Sequence, residues 1–343
     1  MRRFWLFRSN IKHLEYYHQY KDLKSFEKNC HDFYMIFPIW LLRNDYFDEV
    51  TIWRLSDTVL PDIVFDIDGK KYIQKWVSNF LQSTYEPKPD MSFWRGGFQE
   101  YDQVVKSKPD HFGLKLYLGA GRRITPQWGG VYDVLLMEDK KDFVRGKKCY
   151  PFYKTASPNI FYSYVNKIVN LHWDICWPCN FRQIRYKGQE YFIKKVAQSE
   201  MLRRLRIVHC GNKSKVGKRM CKEYGVDNIE FMGEVDRPRL NEILNHSMFG
   251  LNLSNMNDGC PRVSTEILMS GTPLIIAEYT RLLKYYKQRG VVEVNDNNIV
   301  ERVLNGIENH LKYKSEVLMA INEELSYDVV NKKNIDLWKS TKI

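Results

Sequence analysis

Residues 255–277 read NMNDGCPRVSTEILMSGTPLIIA: Asp258-Gly259 and Pro261, then Glu266 at the head of an apolar run, then Gly271-Thr272-Pro273. Gly and Pro punctuate local structure more strongly than any other residues, so the stretch divides into loop, helix, stop and buried strand. The apolar run 248–254 (MFGLNLS) before it reads as a strand ending at Ser254. Ser264 or Thr265 is placed to cap a helix starting near Glu266. By itself Glu266 would merely complement a helix dipole, and Asp258-Gly259 would be an ordinary turn.

Working outward, the same alternation continues. RLRIVHCGN (204–212) is a short apolar run closed by Gly211-Asn212, as expected of a buried parallel strand meeting a loop. KSKVGKRMCKEYGV (213–226) has helical composition with Gly225 as its C-cap. NIEFMGEV (228–235) is the next strand, and PRLNEILNHS (238–247) a helix with Pro238 in its first turn. Strands alternating with helices at this spacing imply βαβ units and a parallel sheet. In the first half RRFWLFR (2–8), EVTIWRL (49–55), DIVFDI (62–67), LKLYLGAG (114–121) and YDVLLME (132–138) also look like strands. Helical patterning between them is weaker and aromatic content is high.

The chain has 343 residues, which at roughly 100–200 per domain favours two domains. The stretch 155–172 has no clear period, so the expected division is 1–168, 169–324 and a helical tail 325–343 packing back on the first domain. The net charge is +12, and it is spread evenly: 26 Lys/Arg against 20 Asp/Glu in residues 1–170, and 27 against 21 in 171–343. An even excess suits an anionic partner without marking one basic domain. The basic N-terminus has its apolar stretch broken by Arg8 and Lys12 and lacks a small-residue cleavage site, so it reads as a strand and helix, not a signal peptide. No window approaches the roughly 18 apolar residues needed to span a bilayer. Seven scattered cysteines fit a reducing compartment, so the expected location is the cytoplasm.

In open α/β sheets ligands bind beyond the carboxyl ends of strands. Three features of the second half fall there. Arg182 and Lys187 lie in a polar loop before Gly188 and a helical run, an arrangement suited to phosphate. Gly211-Asn212 is followed by Lys213. The third feature is the stretch quoted above.

Together they resemble the nucleotide-sugar-binding domain of GT-B glycosyltransferases, particularly the group 1 or GT4 family. That family has an Arg followed five residues later by Lys-Gly, as Arg182 is by Lys187-Gly188 here. Its pattern E-G-x-P-x-x-x-x-E-A-x-x-x-G-x-P-V-I is matched by Asp258-Gly259-Cys260-Pro261, Glu266 and Gly271-Thr272-Pro273-Leu274-Ile275. The resemblance covers roughly residues 170–300. It implies two Rossmann-like domains facing a cleft, with donor binding in the second.

On that resemblance Arg182 and Lys187 hold the donor diphosphate and take up charge growing on the leaving group. Glu266 accepts from the ribose hydroxyls. Asp258, Gly259, Cys260 and Pro261 meet the sugar, while Gly211, Met232, Gly233 and Val235 border the nucleotide. Two cations on the diphosphate make a metal unnecessary, no cofactor is needed, and retention of configuration is implied. Asp258 stands for the usual Glu, Ile267 for Ala and Phe181 for Gly, and the usual Gly-Gly loop after the first strand is missing. Acceptor-side candidates are Trp94, Arg95, Gly119, Arg122 and Arg123. The acceptor would be a glycan or lipid-linked sugar, with 140–149 (KKDFVRGKKC) touching a membrane surface. It could instead be a hydroxymethylated base in DNA, with Trp94, Phe98 and Trp128 stacking on it.

Other motifs compete. Cys176-x-x-Cys179 has the spacing of thiol oxidoreductases or half a zinc site, but no second ligand pair accompanies it. DIVFDIDGKKY resembles the DxDG motif of phosphatases, with Asp66 as nucleophile and Asp68 as acid, but Lys70 stands where that family has Thr and no later Gly-Asp-x-x-x-Asp motif follows, so a strand ending in an Asp-Gly turn is the favoured reading. A non-catalytic sugar-nucleotide-binding module is the remaining alternative.

Overall fold

The structure, a computed structural model, describes residues 1–8, 17–30, 32–56, 58–95, 100–119, 130–137, 145–164, 170–181, 188–254, 262–278 and 289–340. The chain divides into two compact units, Met1–Tyr153 with Asn331–Ile343, and Lys154–Val330.

The first unit holds β1 (Arg3–Arg8), β2 (Glu49–Leu55), β3 (Ile63–Ile67), β4 (Lys70–Val77), β5 (Met91–Arg95), β6 (Leu114–Gly119), β7 (Val134–Met137) and β8 (Cys149–Pro151). They form one sheet in the order β3-β4-β2-β1-β5-β6-β7-β8. Only β3 and β4 pair antiparallel; β1, β2, β4, β5, β6, β7 and β8 run parallel. Three helices accompany it, α1 (Leu23–Asn29), α2 (Phe33–Arg43) and α3 (Glu100–Ser107). The weak helical period of this half has a physical cause in α2, where every residue from Phe33 to Leu42 is buried. A helix covered all round carries no polar stripe for a 3.6-residue pattern to reveal. The β4 strand also escapes sequence reading, because Gln74 shares its inward face with Tyr72 and Trp76.

The aromatic content builds the core on the opposite face of this sheet. Trp5, Phe7, Trp53, Phe80, Tyr85, Trp94, Tyr101 and Phe112 form one cluster. Phe7 and Trp94 on neighbouring strands stack with ring centroids 3.7 Å apart and planes 3° apart.

The second unit is a six-stranded, wholly parallel sheet. Its strands are β9 (Trp173–Pro178), β10 (Ile207–Cys210), β11 (Ile229–Gly233), β12 (Ser247–Asn252), β13 (Leu274–Ala277) and β14 (Val291–Val294), in the order β11-β10-β9-β12-β13-β14. The chain steps outward from β9 to β11, returns to β12, and steps outward the other way to β14. The gap between β9 and β12 is therefore the point where strand order reverses, and ligands of such sheets bind at its carboxyl edge.

The connecting helices are α4 (Gln189–Gln198), α5 (Glu200–Arg203), α6 (Ser214–Tyr224), α7 (Arg237–Asn245), α8 (Arg262–Met269), α9 (Ile299–Glu308) and α10 (His310–Ala320). Helix α6 ends at Gly225, left-handed at φ 65°, and α7 starts with Pro238 in its first turn and Asp236 accepting from the Arg239 N–H. Residues 154–164 go with this unit: the N–H groups of Tyr162 and Tyr164 donate to Asn241 and Asn245 on α7, at 3.2 and 2.8 Å.

A last helix, α11 (Tyr327–Lys339), carries the chain into the first unit. There Asn334 accepts from the Tyr153 N–H and donates to the Tyr153 carbonyl. The fully buried Trp338 lies against Phe37, Phe93 and Phe152. No helix among the described residues is long and apolar enough to cross a membrane.

Candidate functional site

At the carboxyl edge of the second sheet the strand ends are tied to one another through backbone. Beyond β9, the Cys179 N–H donates to the Cys210 carbonyl at 3.0 Å and the Phe181 N–H to the Asn212 carbonyl at 3.2 Å. Asn180 locks the junction: its side-chain oxygen accepts from the Asn212 N–H, and its carbonyl accepts from the Gln189 side chain, both at 2.7 Å. Gly211 passes so close that a Cβ on it would lie 1.8 Å from the Cys179 carbonyl oxygen. Its N–H donates to the Gly233 carbonyl at 2.7 Å, so the ends of β10 and β11 also meet.

Across the reversal point the decisive contact is made by Gly188. It caps α4 in the left-handed region at φ 69°, a conformation that glycine adopts without penalty. A Cβ there would sit 2.7 Å from the Leu253 carbonyl oxygen and 2.8 Å from the Leu253 Cβ. The start of α4 thus touches the end of the β12 segment. The residue that follows Lys187 in the chain and the strand end that precedes Asn255 therefore meet.

Helix α8 begins at Arg262, a full turn earlier than the sequence implied. Ser264 and Thr265 are therefore not caps but inside the helix. The Ser264 hydroxyl accepts from Asn252 on β12 at 2.7 Å, and the Thr265 hydroxyl donates to the Arg262 carbonyl. Glu266 falls in the second turn, 4% exposed, and its Oε2 accepts from Arg237 Nη1 at 2.8 Å. Arg237, at the start of α7 just past β11, was not among the candidate residues. Its signal was only its place in the turn that also carries Met232, Gly233 and Val235. Met232 and Val235 are half-buried and pack in the same cluster as Val263, Ile267 and Leu268 of α8. Glu266 is thereby brought beside the segment expected to border the nucleotide.

The end of the opening stretch is a helix stop. The Gly271 N–H donates to the Leu268 carbonyl and the Thr272 N–H to the Ile267 carbonyl, with Gly271 left-handed at φ 71°. This paired closure satisfies two otherwise orphaned carbonyls. The Pro273 carbonyl then accepts from the Gly250 N–H at 2.8 Å, launching β13. Ile267, the departure from the usual Ala, is accommodated by Gly250 on β12: a Cβ there would lie 2.5 Å from Ile267 Cγ2.

Beneath this edge His209 of β10 is fully buried among Trp177, Phe181 and Phe231, with its Nε2 3.5 Å from Cys179 Sγ. Burial holds its imidazole down at about 4, so it is neutral near pH 7.

Several expectations are placed differently. Trp94 is fully buried, stacked on Phe7 with its indole N–H donating to Ser92 at 2.9 Å, and so offers no face to a flipped base. Arg95 ends β5, and Gly119 ends β6 buried opposite Met137. Cys176 on β9 and Cys179 just beyond its end pack into different core clusters, Cys179 with that of Ile175 and Trp177. They cannot act as a dithiol pair. Asp68-Gly69 is the two-residue turn of the β3–β4 hairpin, with φ 53° and 79° and Asp66 exposed and accepting from the Gly69 N–H. Left-handed geometry at both positions is the hairpin turn that Asp-Gly favours. Arg182, Lys187, Asp258, Gly259, Cys260, Pro261, Arg122 and Arg123 lie outside the described residues, as do Phe98, Trp128 and 140–144.

No protein-family model and no curated protein matches the sequence. Solved structures do match over the whole chain. Sucrose-phosphate synthase from Thermosynechococcus elongatus superposes with a TM-score of 0.66 at 12% identity, covering 99% of each chain. A trehalose-6-phosphate enzyme from E. coli bound with UDP-2-fluoro glucose gives 0.64 at 9% identity, over 98% of this chain and 99% of that one. The fold is GT-B. An α-glucosyltransferase in complex with UDP agrees, at 0.61 and 13% identity over 98% and 99% of the two chains. In this GT-B chain the motif-bearing loops are all rooted at the carboxyl edge of the second sheet, at and beside its reversal point.

Proposed function

We propose that this chain is a glycosyltransferase, moving a sugar from a nucleotide-sugar donor to an acceptor hydroxyl with retention of configuration and without a metal. The contact of Gly188 with Leu253 supports the reading, because the residue that follows Lys187 in the chain meets the strand end that precedes Asp258, at the edge where such sheets bind nucleotides. Glycosyltransferase neighbours that hold UDP or a UDP-sugar support it. In the reaction the bond from the anomeric carbon to the diphosphate oxygen breaks, the acceptor oxygen takes its place, and the acceptor's hydroxyl proton leaves with the nucleoside diphosphate. Arg182 and Lys187 neutralise the charge left on the diphosphate. Glu266, with Oε2 engaged by Arg237, binds the ribose hydroxyls. Asp258 and the backbone of residues 259–261 bind the sugar, and Gly211, Met232, Gly233 and Val235 border the base. The transferred sugar is a hexose or a pentose. The acceptor is a glycan, a lipid-linked sugar or a hydroxymethylated base in DNA, and the burial of Trp94 takes that ring out of the set that would stack on the last.

The test is a thermal-shift panel of UDP-, GDP- and ADP-sugars. A ligand at 100 times its dissociation constant adds about 2.7 kcal/mol to the native state. No shift with any nucleotide sugar, or sugar-nucleotide turnover unaffected by Glu266→Ala, would refute the assignment.

A further inference from the structure

The even division of charge between the two halves of the chain conceals a concentration within the second. Residues 188–225 hold ten Lys/Arg against three Asp/Glu, more than half of the net +12. Two of the three acids are paired with neighbours, Glu190 with Lys194 and Glu200 with Arg204. Five of the cations, Lys213, Lys215, Lys218, Arg219 and Lys222, lie on or just before α6 and are all exposed. None of them makes an ion pair or a side-chain hydrogen bond among the described residues, and neither does Glu223, the single acid of the helix.

The packing of α6 fixes which way this charge points. Gly217, Met220 and Cys221 are its buried side. A Cβ on Gly217 would lie 2.5 Å from the Phe231 ring and 2.6 Å from that of Phe181, so the helix sits hard against the sheet. Tyr224 ties it sideways to α4, donating to Glu190 at 3.2 Å. Lys215, Lys218, Arg219 and Lys222 are then left as one outward stripe, and like charges three and four residues apart on a helix repel. The end of the helix adds to them: its N-cap is Lys213, left-handed at φ 59°, with no side-chain cap and no acid in the first turn, so the positive pole of the helix dipole is also uncompensated. Nothing among the described residues offsets this repulsion, whereas a polyanion along the stripe would.

We propose that the exposed face of α6 binds the sugar-phosphate backbone of duplex DNA. At about 1.5 Å per residue the stretch from Lys215 to Lys222 spans roughly 10 Å of helix axis, or about three steps along one DNA strand. Such a backbone asks only for cations and helix N–H groups, and these are what α6 presents. An anionic bilayer is matched less well, because helices that lie on a membrane put apolar side chains into the lipid and α6 exposes none. Single strands fit less well for a related reason, since their bases stack on exposed aromatic rings. The helix starts directly after Gly211 and Asn212, so a duplex along it reaches the carboxyl edge of the second sheet. Naming DNA rather than another duplex rests on the glycosyltransferase reading with a DNA base as acceptor; the backbone site itself does not.

Fluorescence anisotropy of the full chain with a labelled duplex of about two helical turns tests this, across salt from about 50 to about 200 mM. Five phosphate contacts give a slope of log K against log salt of about −4.5 or steeper, a loss on the order of 500-fold over that range. Combining Lys218→Gln, Arg219→Gln and Lys222→Gln should make the slope about 2.7 shallower without lowering the melting temperature, while Lys218→Arg with Lys222→Arg should keep the full slope. The comparison ligands are duplex RNA, single-stranded DNA and vesicles containing phosphatidylserine. No duplex binding at about 50 mM salt, or a slope untouched by the triple substitution in folded protein, would overturn the site. Tighter binding of RNA or of single strands than of duplex DNA would overturn the DNA assignment, and so would vesicle binding, lost in the triple variant, without duplex binding. Nucleotide-sugar binding is read separately by thermal shift: duplex binding with no shift from any nucleotide sugar would sink the glycosyltransferase reading and leave the α6 site standing.

Discussion

Replacing Gly188 with alanine tests whether the start of α4 and the end of β12 are joined as described. Two penalties combine at this position. A non-glycine residue at φ 69° pays about 1–2 kcal/mol for the left-handed conformation. The added methyl would also meet the Leu253 backbone oxygen at 2.7 Å, and overpacking of this kind costs about 1–3 kcal/mol. The neighbouring atoms are backbone, so relief requires moving α4 away from β12. The expected total is about 2–5 kcal/mol, or a melting shift on the order of 5–15 °C for a domain of this size. Gly225→Ala is the internal control: φ is 65° but nothing lies within 4 Å of the added methyl, so only the conformational penalty applies. Thermal denaturation of both variants, with UDP-sugar binding measured on each, separates the effects. The reasoning is refuted if Gly188→Ala melts no lower than Gly225→Ala, or if it melts lower and binds donor unchanged.

Glu266→Gln should weaken nucleotide-sugar binding by about 1.5–3 kcal/mol through loss of charge-assisted hydrogen bonds, measured by calorimetry; fold should persist because Arg237 is about one-third exposed and can be solvated. Gly250→Ala should destabilise by about 1–3 kcal/mol through collision with Ile267, and adding Ile267→Ala should recover most of that loss in urea unfolding. An additive double variant would show that the two do not share the space. His209, held at about 4 when folded against an ordinary 6.5, makes the unfolded chain the stronger proton binder. Its contribution is complete above about pH 6.5 and declines toward pH 4, by about 3 kcal/mol in all. Urea midpoints should fall across that window and fall less in His209→Phe; parallel curves would dismiss the histidine as the cause.

What could be read along the chain was what short-range rules control. The alternation of apolar runs and helical segments from 204 to 277, the stop at Gly271 and the left-handed cap at Gly225 are each set by residues within one turn of one another, and they reappear in the structure. The layered α/β architecture followed from that alternation, and the GT-B expectation from the family resemblance carried by Asp258, Glu266, Gly271 and Pro273; the match to GT-B structures bears out the fold. Where local signals were ambiguous, tertiary packing decided. Helix α2 shows no period because it is covered on all sides, and α8 starts at Arg262 because Ser264 is held by Asn252 on a neighbouring strand. The contact of Gly188 with Leu253, the pairing of Arg237 with Glu266 and the stacking of Trp94 on Phe7 join residues 29 to 87 positions apart, the last through parallel strand register. Parallel strands need long crossovers, so their register leaves no mark in adjacent sequence. The sequence by itself determined the layered architecture of the second unit and the residue types of the candidate site; the tertiary structure alone decided that Arg237 meets Glu266, because that pairing is made across the fold and not along the chain.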